Sequence, residues 1–486
     1  MSNEVANIRP RELWKHFYDL TQIPRPSKHE AAVAQFIVDF GKKLGLETIA
    51  DTIGNIIIKK PAVPGMENRQ GVILQAHLDM VPQKNEDTAH DFTKDPLKPY
   101  IDEDWVKATG TTLGADNGIG IAAAMAVLES KTLEHGPVEG LFTIDEETGM
   151  TGAFGMKPGL LDGDILLNMD SEDEGELYIG CAGGTNANIT FNYKETSVPD
   201  GMTAFKLTVK GLKGGHSGLD IPLGRGNSNK LLNRLMWSAE HLYGLRLASI
   251  DGGSLRNAIP RESVAIAVVP EKNKDAFLKE IKTFTAEVTK EFSIVEPDLK
   301  VLVDKTEMPV TLIDGKTQHT FFNAVYACPN GVIRMSNEME GLVETSTNLA
   351  IVKSSDGKIK LQCLLRSSVD SAKIDLEQMI QSVFELANAE ILFDGQYPGW
   401  KPNPDSPILK TMMEVYKKKF GKIPEIRGIH AGLECGILGN PYPHWDMISF
   451  GPTIRFPHSP DEKVSISTVE KFWDFLVEIL KDIPVK

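Results

Sequence analysis

GVILQAHLD, residues 71–79, is a short apolar run that stops on a histidine and an aspartate. Unbroken apolar runs of this length suit strands covered by helices on both faces of a sheet. The neighbours repeat the pattern. Residues 138–144 (VEGLFTI) lead into Asp145, Glu146 and Glu147, and residues 164–169 (DILLNM) lead into Asp170. Residues 55–59 read as another strand, residues 30–44 have helical apolar spacing, and residues 117–129 read as a buried helix. Strands alternating with helices from residue 11 to about 180 predict an α/β domain, doubly wound around a central, mostly parallel sheet.

The chain has 486 residues, and single cores stop growing at about 250 to 300 residues, so two domains are expected. Composition changes at CAGGT (181–185) and at YPGWKPNP (397–404), which read as hinges. Between them lie strand 205–210, helix 229–243, strand 264–269 and helix 275–292. A hairpin signal at Asp356-Gly357 then joins 342–353 to 358–369, ahead of helix 374–387. This is the pattern of an α+β insert of the split β-α-β kind. Helix 407–420 and strand 447–450 resume the first style. The expected division is 1–184 with 402–486 as the catalytic domain and 185–401 as the insert.

Hydrophobic residues at 41% and charged residues at 24% describe an ordinary packed chain. The 67 acidic and 52 basic residues leave a net charge of -15, which opposes binding to nucleic acid or anionic lipid. The longest mostly apolar run, 118–128, is far short of the roughly 18 residues of a membrane span. No secretory leader is visible at the start. Cys181, Cys328, Cys363 and Cys435 form no C-x-x-C pair, which fits a reducing cytoplasm.

Four apolar segments thus end on titratable side chains: His77 and Asp79; Glu146 and Glu147; Asp170; and, beyond DMISF, His458. In open α/β sheets ligands bind outside the carboxyl ends of the strands, so these segments would share one crevice. Asp116 joins them from the glycine-rich turn LGADNGIG. Imidazole mixed with carboxylate suits Zn²⁺ and similar ions, and two histidines with three carboxylates, one shared, serve two metals. Asp79 can accept the second ring N–H of His77. Of the adjacent glutamates, pointing oppositely in extended chain, one can bind metal while the other acts as base. Residue types leave open which does which. The acidic run 171–176 reads as a solvated loop. His16, His29, His241, His319 and His444 read as structural or exposed, and His90, His135 and His430 stay unassigned. Gly118-Ile119-Gly120-Ile121-Ala122-Ala123 fits a loose dinucleotide pattern, but it follows a polar turn rather than a strand.

QAHLDMVPQK, GTTLGADNGIG, DEETGMTGAFG, NMDSEDEGE, GLKGGHSG, RNAIPRE, IHAGLECG and GPTIRFPHSPDE occur in that order. With them the chain resembles the cytosolic non-specific dipeptidases, also called aminoacyl-histidine or β-alanyl-histidine dipeptidases, of the zinc aminopeptidase and carboxypeptidase superfamily. The resemblance implies two Zn²⁺ per subunit, with Co²⁺ or Mn²⁺ as substitutes. It implies that Asp116 bridges them, with Glu147 and His458 on one ion and His77 and Asp170 on the other. It further implies Asp79 as the group orienting His77, Glu146 as general base, and a cis peptide after Asp116. His216 in GGHSG matches a lid histidine that meets the oxyanion, and Asn257, Arg366 and Glu434 are candidates for holding substrate ends. The insert would serve as lid and dimerisation domain, placing His216 in a partner's site in a homodimer. Dipeptides with free termini are the expected substrates. An acyl-amino-acid deacylase or a non-catalytic scaffold of the same fold are the alternatives.

Overall fold

The computed structural model describes Glu4 to Lys486. Two compact units emerge: Met1–Gly180 with Pro402–Gly428 and Leu433–Lys486, and Cys181–Lys401 with Ile429–Gly432. The return of four residues, 429–432, to the second unit carries no local mark in the sequence.

The first unit is built on an eight-stranded sheet. Its order is Glu47–Ala50, Ile56–Lys60, Val138–Thr143, Val72–His77, Ile165–Asn168, Asp446–Ser449, Glu176–Cys181 and Glu425–Ile429. Strands 138–143, 72–77, 165–168 and 446–449 run parallel to one another, whereas Ile56–Lys60 and Glu176–Cys181 join antiparallel. The sheet is therefore parallel at its centre and mixed at its edges. Every residue of Val72–His77 and of Val138–Thr143 is buried, as helix-covered central strands require.

Helix Ala115–Glu129 is apolar almost all round and packs against Val72–His77 and helix Arg11–Thr21. A Cβ at Gly118 would lie 2.8 Å from the Arg25 guanidinium, and one at Gly120 would lie 2.8 Å from the Met169 carbonyl. The glycine spacing that imitates a dinucleotide motif thus serves close packing. Among the described residues no helix is long and apolar enough to cross a membrane.

The second unit nests one split β-α-β motif inside another. Met202–Lys210, helix Ser228–Tyr243, Arg246–Gly252, Ser263–Pro270, helix Lys274–Glu291 and Lys300–Lys305 form one half. Gly183–Asn192, helix Gly315–Ala327, Val343–Ser355, Lys358–Ser367, helix Asp370–Leu386 and Glu390–Tyr397 form the other, interrupted by the first. The halves join edge to edge where Asp251 and Gly252 pair with Lys353 and Val352. One apolar cluster unites all four helices with the sheet, including Leu235, Phe277, Phe321, Ile380, Phe205 and Leu361.

CAGGT begins at the boundary between the two units, after Gly180, but it runs from strand to strand rather than as a loop. Gly183 and Gly184 begin a ten-residue strand. A Cβ at Gly183 would come within 2.5 Å of the Tyr397 carbonyl and one at Gly184 within 2.5 Å of the Tyr397 ring, so close approach of backbone explains both glycines.

A candidate dinuclear metal centre

Because the four central strands are parallel and adjacent, their carboxyl ends share one edge, and His77, Glu146, Glu147 and Asp170 follow from that edge. His458 arrives nine residues after Asp446–Ser449, at φ 58°. Asp116 stands at the start of helix 115–129, where its own φ and ψ, -79° and 109°, are not yet helical. The Asp116–Asn117 peptide is cis.

Asp116 is the centre of the group. Its Oδ1 lies 3.0 Å from His77 Nε2 and its Oδ2 lies 3.2 Å from His458 Nε2, one oxygen to each imidazole. Asp170 Oδ1 is 3.3 Å from the same His77 nitrogen, and Glu147 Oε2 is 3.0 Å from His458 Nε2. Two triads result, His77–Asp116–Asp170 and Asp116–Glu147–His458, each with ligand atoms within 4.8 Å of one another. Hydrogen bonds to Asp116 and Glu147 push the His458 pKa up to about 11. Glu147 Oε1 is buried without a hydrogen-bond partner. An excess of carboxylate over imidazole with an orphaned buried oxygen is a donor set that fits two divalent cations.

Asp79 organises more than His77. Its Oδ1 is 3.3 Å from His77 Nδ1 and accepts the Glu146 amide at 3.0 Å, while Oδ2 accepts the Glu147 amide at 3.2 Å and the Ser27 hydroxyl at 2.8 Å. Burial alone would raise this carboxyl; the neighbouring His77 ring and the hydrogen bonds from Ser27 and the Glu146 amide outweigh it and bring the pKa down to about 2. The two glutamates open a short helix, Glu146–Gly149, not an extended strand. Their divergence follows from the roughly 100° turn between successive helical residues, which corrects the alternating-strand reason given above. Only Glu147 reaches His458. Among the described residues the Glu146 carboxylate makes no hydrogen bond or ion pair, and burial raises its pKa well above the usual glutamate range.

The acidic run 171–176 is half-buried rather than solvated. Ser171 Oγ meets Ser449 Oγ at 2.7 Å, Arg455 pairs with Asp173 at 2.7 Å, and burial raises the Glu172 carboxyl. Glu434 is fully buried in the first unit, where its Oε2 accepts from Gln75 at 2.6 Å and Thr143 at 2.7 Å and its Oε1 has no partner. Sequence reasoning passed over Arg25 and Glu462, which hold the backbone around Asp116. Neither stands at a strand end, so no pattern marked them.

The second unit gathers its own polar cluster. His216 Nδ1 accepts the backbone amides of Gly218 at 3.2 Å and Leu219 at 3.1 Å, which leaves Nε2 carrying the proton. Burial, and then the Arg366 charge, lowers its pKa, so His216 is a neutral N–H donor. The Arg366 guanidinium lies 3.5 Å from that nitrogen and donates to Tyr397 Oη at 3.2 Å. Arg366 is buried without a carboxylate partner among the described residues. His430, unassigned from sequence, lies 2.7 Å from Ser346 Oγ and is held neutral, its pKa pushed down to about 3 by burial and the neighbouring Arg366 and His216. Asn257 is exposed, and its carbonyl accepts the Ser217 amide at 2.8 Å. Glu240, His241 and His319 form a separate group on two helices. There Asn323, oriented by Trp237, donates to His319 Nε2, so the group is a surface hydrogen-bond network.

The family model described as peptidase family M20/M25/M40 matches residues 73–482. A cytosol non-specific dipeptidase of Escherichia coli (strain K12) is 48% identical over 484 residues, covering 100% of both chains. The crystal structure of an aminoacylhistidine dipeptidase from Vibrio alginolyticus superposes with a TM-score of 0.96 at 52% identity, over 100% of this chain and 99% of that one. The aminopeptidase PepT from Bacillus cereus shares the fold at a TM-score of 0.57 and 15% identity, over 98% of this chain and 99% of that one.

Proposed function

The chain belongs to peptidase family M20/M25/M40, and from that premise we propose that it is a cytoplasmic dipeptidase of broad specificity. Its substrates are dipeptides with free termini, Xaa-His compounds such as carnosine among them; nucleic acid and membranes are not partners. End-to-end identity of 48% with a cytosol non-specific dipeptidase supports the substrate class. The observation that carries the chemistry is Asp116, whose two oxygens face different histidines.

His77, Asp116 and Asp170 would hold one divalent ion and Asp116, Glu147 and His458 the other, two Zn²⁺ per subunit with Co²⁺ or Mn²⁺ as substitutes. Bound there, such ions polarise a scissile carbonyl and acidify water. Glu146, beside His77 and Glu147 but bonded to neither, takes the proton of the attacking water and returns it to the leaving amine. Asp79 keeps His77 in one tautomer and fixes where both glutamates start. His216 offers its Nε2–H to the developing oxyanion. Arg366 pairs with the substrate carboxylate, assisted by Asn257, and the free Oε1 of Glu434 suits the substrate ammonium.

A panel of free dipeptides and N-acylated amino acids assayed on metal-loaded protein tests the substrate class. Cleavage of the dipeptides with the acylated compounds left intact is expected. The reverse pattern would make the chain an acyl-amino-acid deacylase.

The chain is further proposed to form a homodimer through the second unit, with His216 serving the partner's site. Since His216 and Arg366 belong to one cluster, both must serve the same site. Glu146→Ala and His216→Ala homodimers should each be nearly inactive, the latter by about 3 kcal/mol. Co-refolding them should recover activity in trans, and Arg366→Ala should complement Glu146→Ala in the same way. A second reading draws on the nested halves, which pair edge to edge within one chain and so supply internally the contact a partner would make. Verified heterodimers that stay inactive end the trans proposal, His216 then acting within its own subunit or not at all.

A further inference from the structure

Asp116 is held through its backbone by two buried charges of opposite sign. Glu462, four residues beyond His458, accepts the amides of Leu113 at 2.7 Å and Gly114 at 2.9 Å on Oε2. Its Oε1 accepts those of Ala115 at 2.8 Å and Asp116 at 3.3 Å. From the other side, Arg25 donates to the carbonyls of Leu78 at 3.0 Å and Asp79 at 2.8 Å with one nitrogen and to the carbonyl of Gly114 with the other. Arg25 and Glu462 are 1% and 2% exposed, so water does not compete for these bonds.

The two side chains meet at one residue. Gly114 gives its N–H to Glu462 and its carbonyl to Arg25. Its φ is 68°, and a Cβ would come within 2.6 Å of the Arg25 guanidinium and 2.9 Å of Met80 Sδ. Glycine is required there both for the left-handed backbone and for the space. A buried guanidinium and a buried carboxylate thus balance one another across a single peptide segment. They join three pieces of chain far apart in sequence: the His77–Asp79 turn, the Asp116 loop and the segment after His458.

We propose that Arg25 and Glu462 are positioning residues that set where Asp116 stands between His77 and His458, and so tune the affinity of both halves of the metal centre together. The inference rests on the reading of Asp116 as the shared ligand. Neither side chain touches substrate. Loosening them should therefore weaken metal binding and lower kcat while leaving KM, set by groups elsewhere such as Arg366, nearly unchanged.

The test uses the full chain stripped of metal and titrated with Zn²⁺ alone against a chromophoric chelator, alongside kcat and KM of the reloaded enzyme. Glu462→Gln keeps the shape but turns an amide N–H₂ toward two backbone N–H donors. Arg25→Lys keeps the charge but loses the fork that spans two loops. Each should weaken Zn²⁺ binding about 10- to 100-fold, the range for residues that orient metal ligands. Glu462→Asp, one methylene shorter with its charge retained, should recover part of the affinity lost in Glu462→Gln, and being the mildest change it also provides a readout if the others do not fold. Zn²⁺ affinity at the parent value in Glu462→Gln or Arg25→Lys, folded by near-ultraviolet circular dichroism, or in Glu462→Asp where those two do not fold, overturns the proposal. Asp116→Ala separates the two levels of inference. If it keeps both ions, the shared-ligand reading itself is wrong; if it loses them while the Glu462 and Arg25 variants do not, only the positioning role is wrong.

Discussion

Glu146→Ala is expected to keep its full metal content and to lose about 10²- to 10⁴-fold in kcat, the contribution of a general base. The reason is positional. Glu146 and Glu147 both hang from the Asp79 carboxylate by their amides, yet only the Glu147 side chain reaches His458, at 3.0 Å. Removing the Glu146 carboxylate therefore leaves both triads intact. Glu147→Ala removes one side of the Asp116–Glu147–His458 triad and should lose metal together with activity. Elemental analysis of the two purified variants, paired with steady-state kinetics, separates the roles. Equal loss of metal from both would mean that the assignment of base and ligand is wrong. Glu146→Gln sharpens the comparison, because it keeps the shape and still removes the proton acceptor.

Stripping the protein with a chelator should abolish hydrolysis, and Zn²⁺, Co²⁺ or Mn²⁺ should restore it. The expectation follows from the donors. Asp116, Asp170 and Glu147 crowd around His77 and His458, three carboxylates against two imidazoles. Two ions per chain should be needed for full activity. Their loss should be cooperative because Asp116 belongs to both triads. Folding gives a second readout: ions that bind only the native arrangement stabilise it by mass action, so the melting temperature should fall on stripping and rise again on reloading. Full activity in protein shown to be metal-free by elemental analysis would end the two-metal mechanism.

The first unit's core was legible because its strands are covered on both faces. VILQA, GLFTI and ILLN are apolar without alternation, and each stops on the residue that the sheet edge presents. Helix 407–420 matches Pro407–Phe420, since Ser406 caps it with a 3.0 Å bond from the Leu409 amide and Gly421 ends it at φ 72°. Such local signals need only neighbours in sequence. The strand at Gly183–Asn192 was not legible, because glycines that permit close approach to Tyr397 resemble glycines that permit bending. Nor was the half-buried placement of residues 171–176, where acidic side chains meet Arg455 and Tyr416 from far along the chain.

By itself the sequence determined the α/β class, the split β-α-β insert and the residue types at the strand ends, because period and apolar length are properties of short windows. It also offered Asp79 as the partner of His77, two residues apart. Only the tertiary structure decided that Asp79 also anchors both glutamate amides, that His216 carries its proton on Nε2, and that one insert holds two nested halves. The grip of Arg25 and Glu462 on the Asp116 loop, across separations of 89 and up to 349 residues, belongs to the same class. Hydrogen bonds act over about 3 Å, so a partner that folding alone brings within reach leaves no period, spacing or motif by which a sequence could announce it.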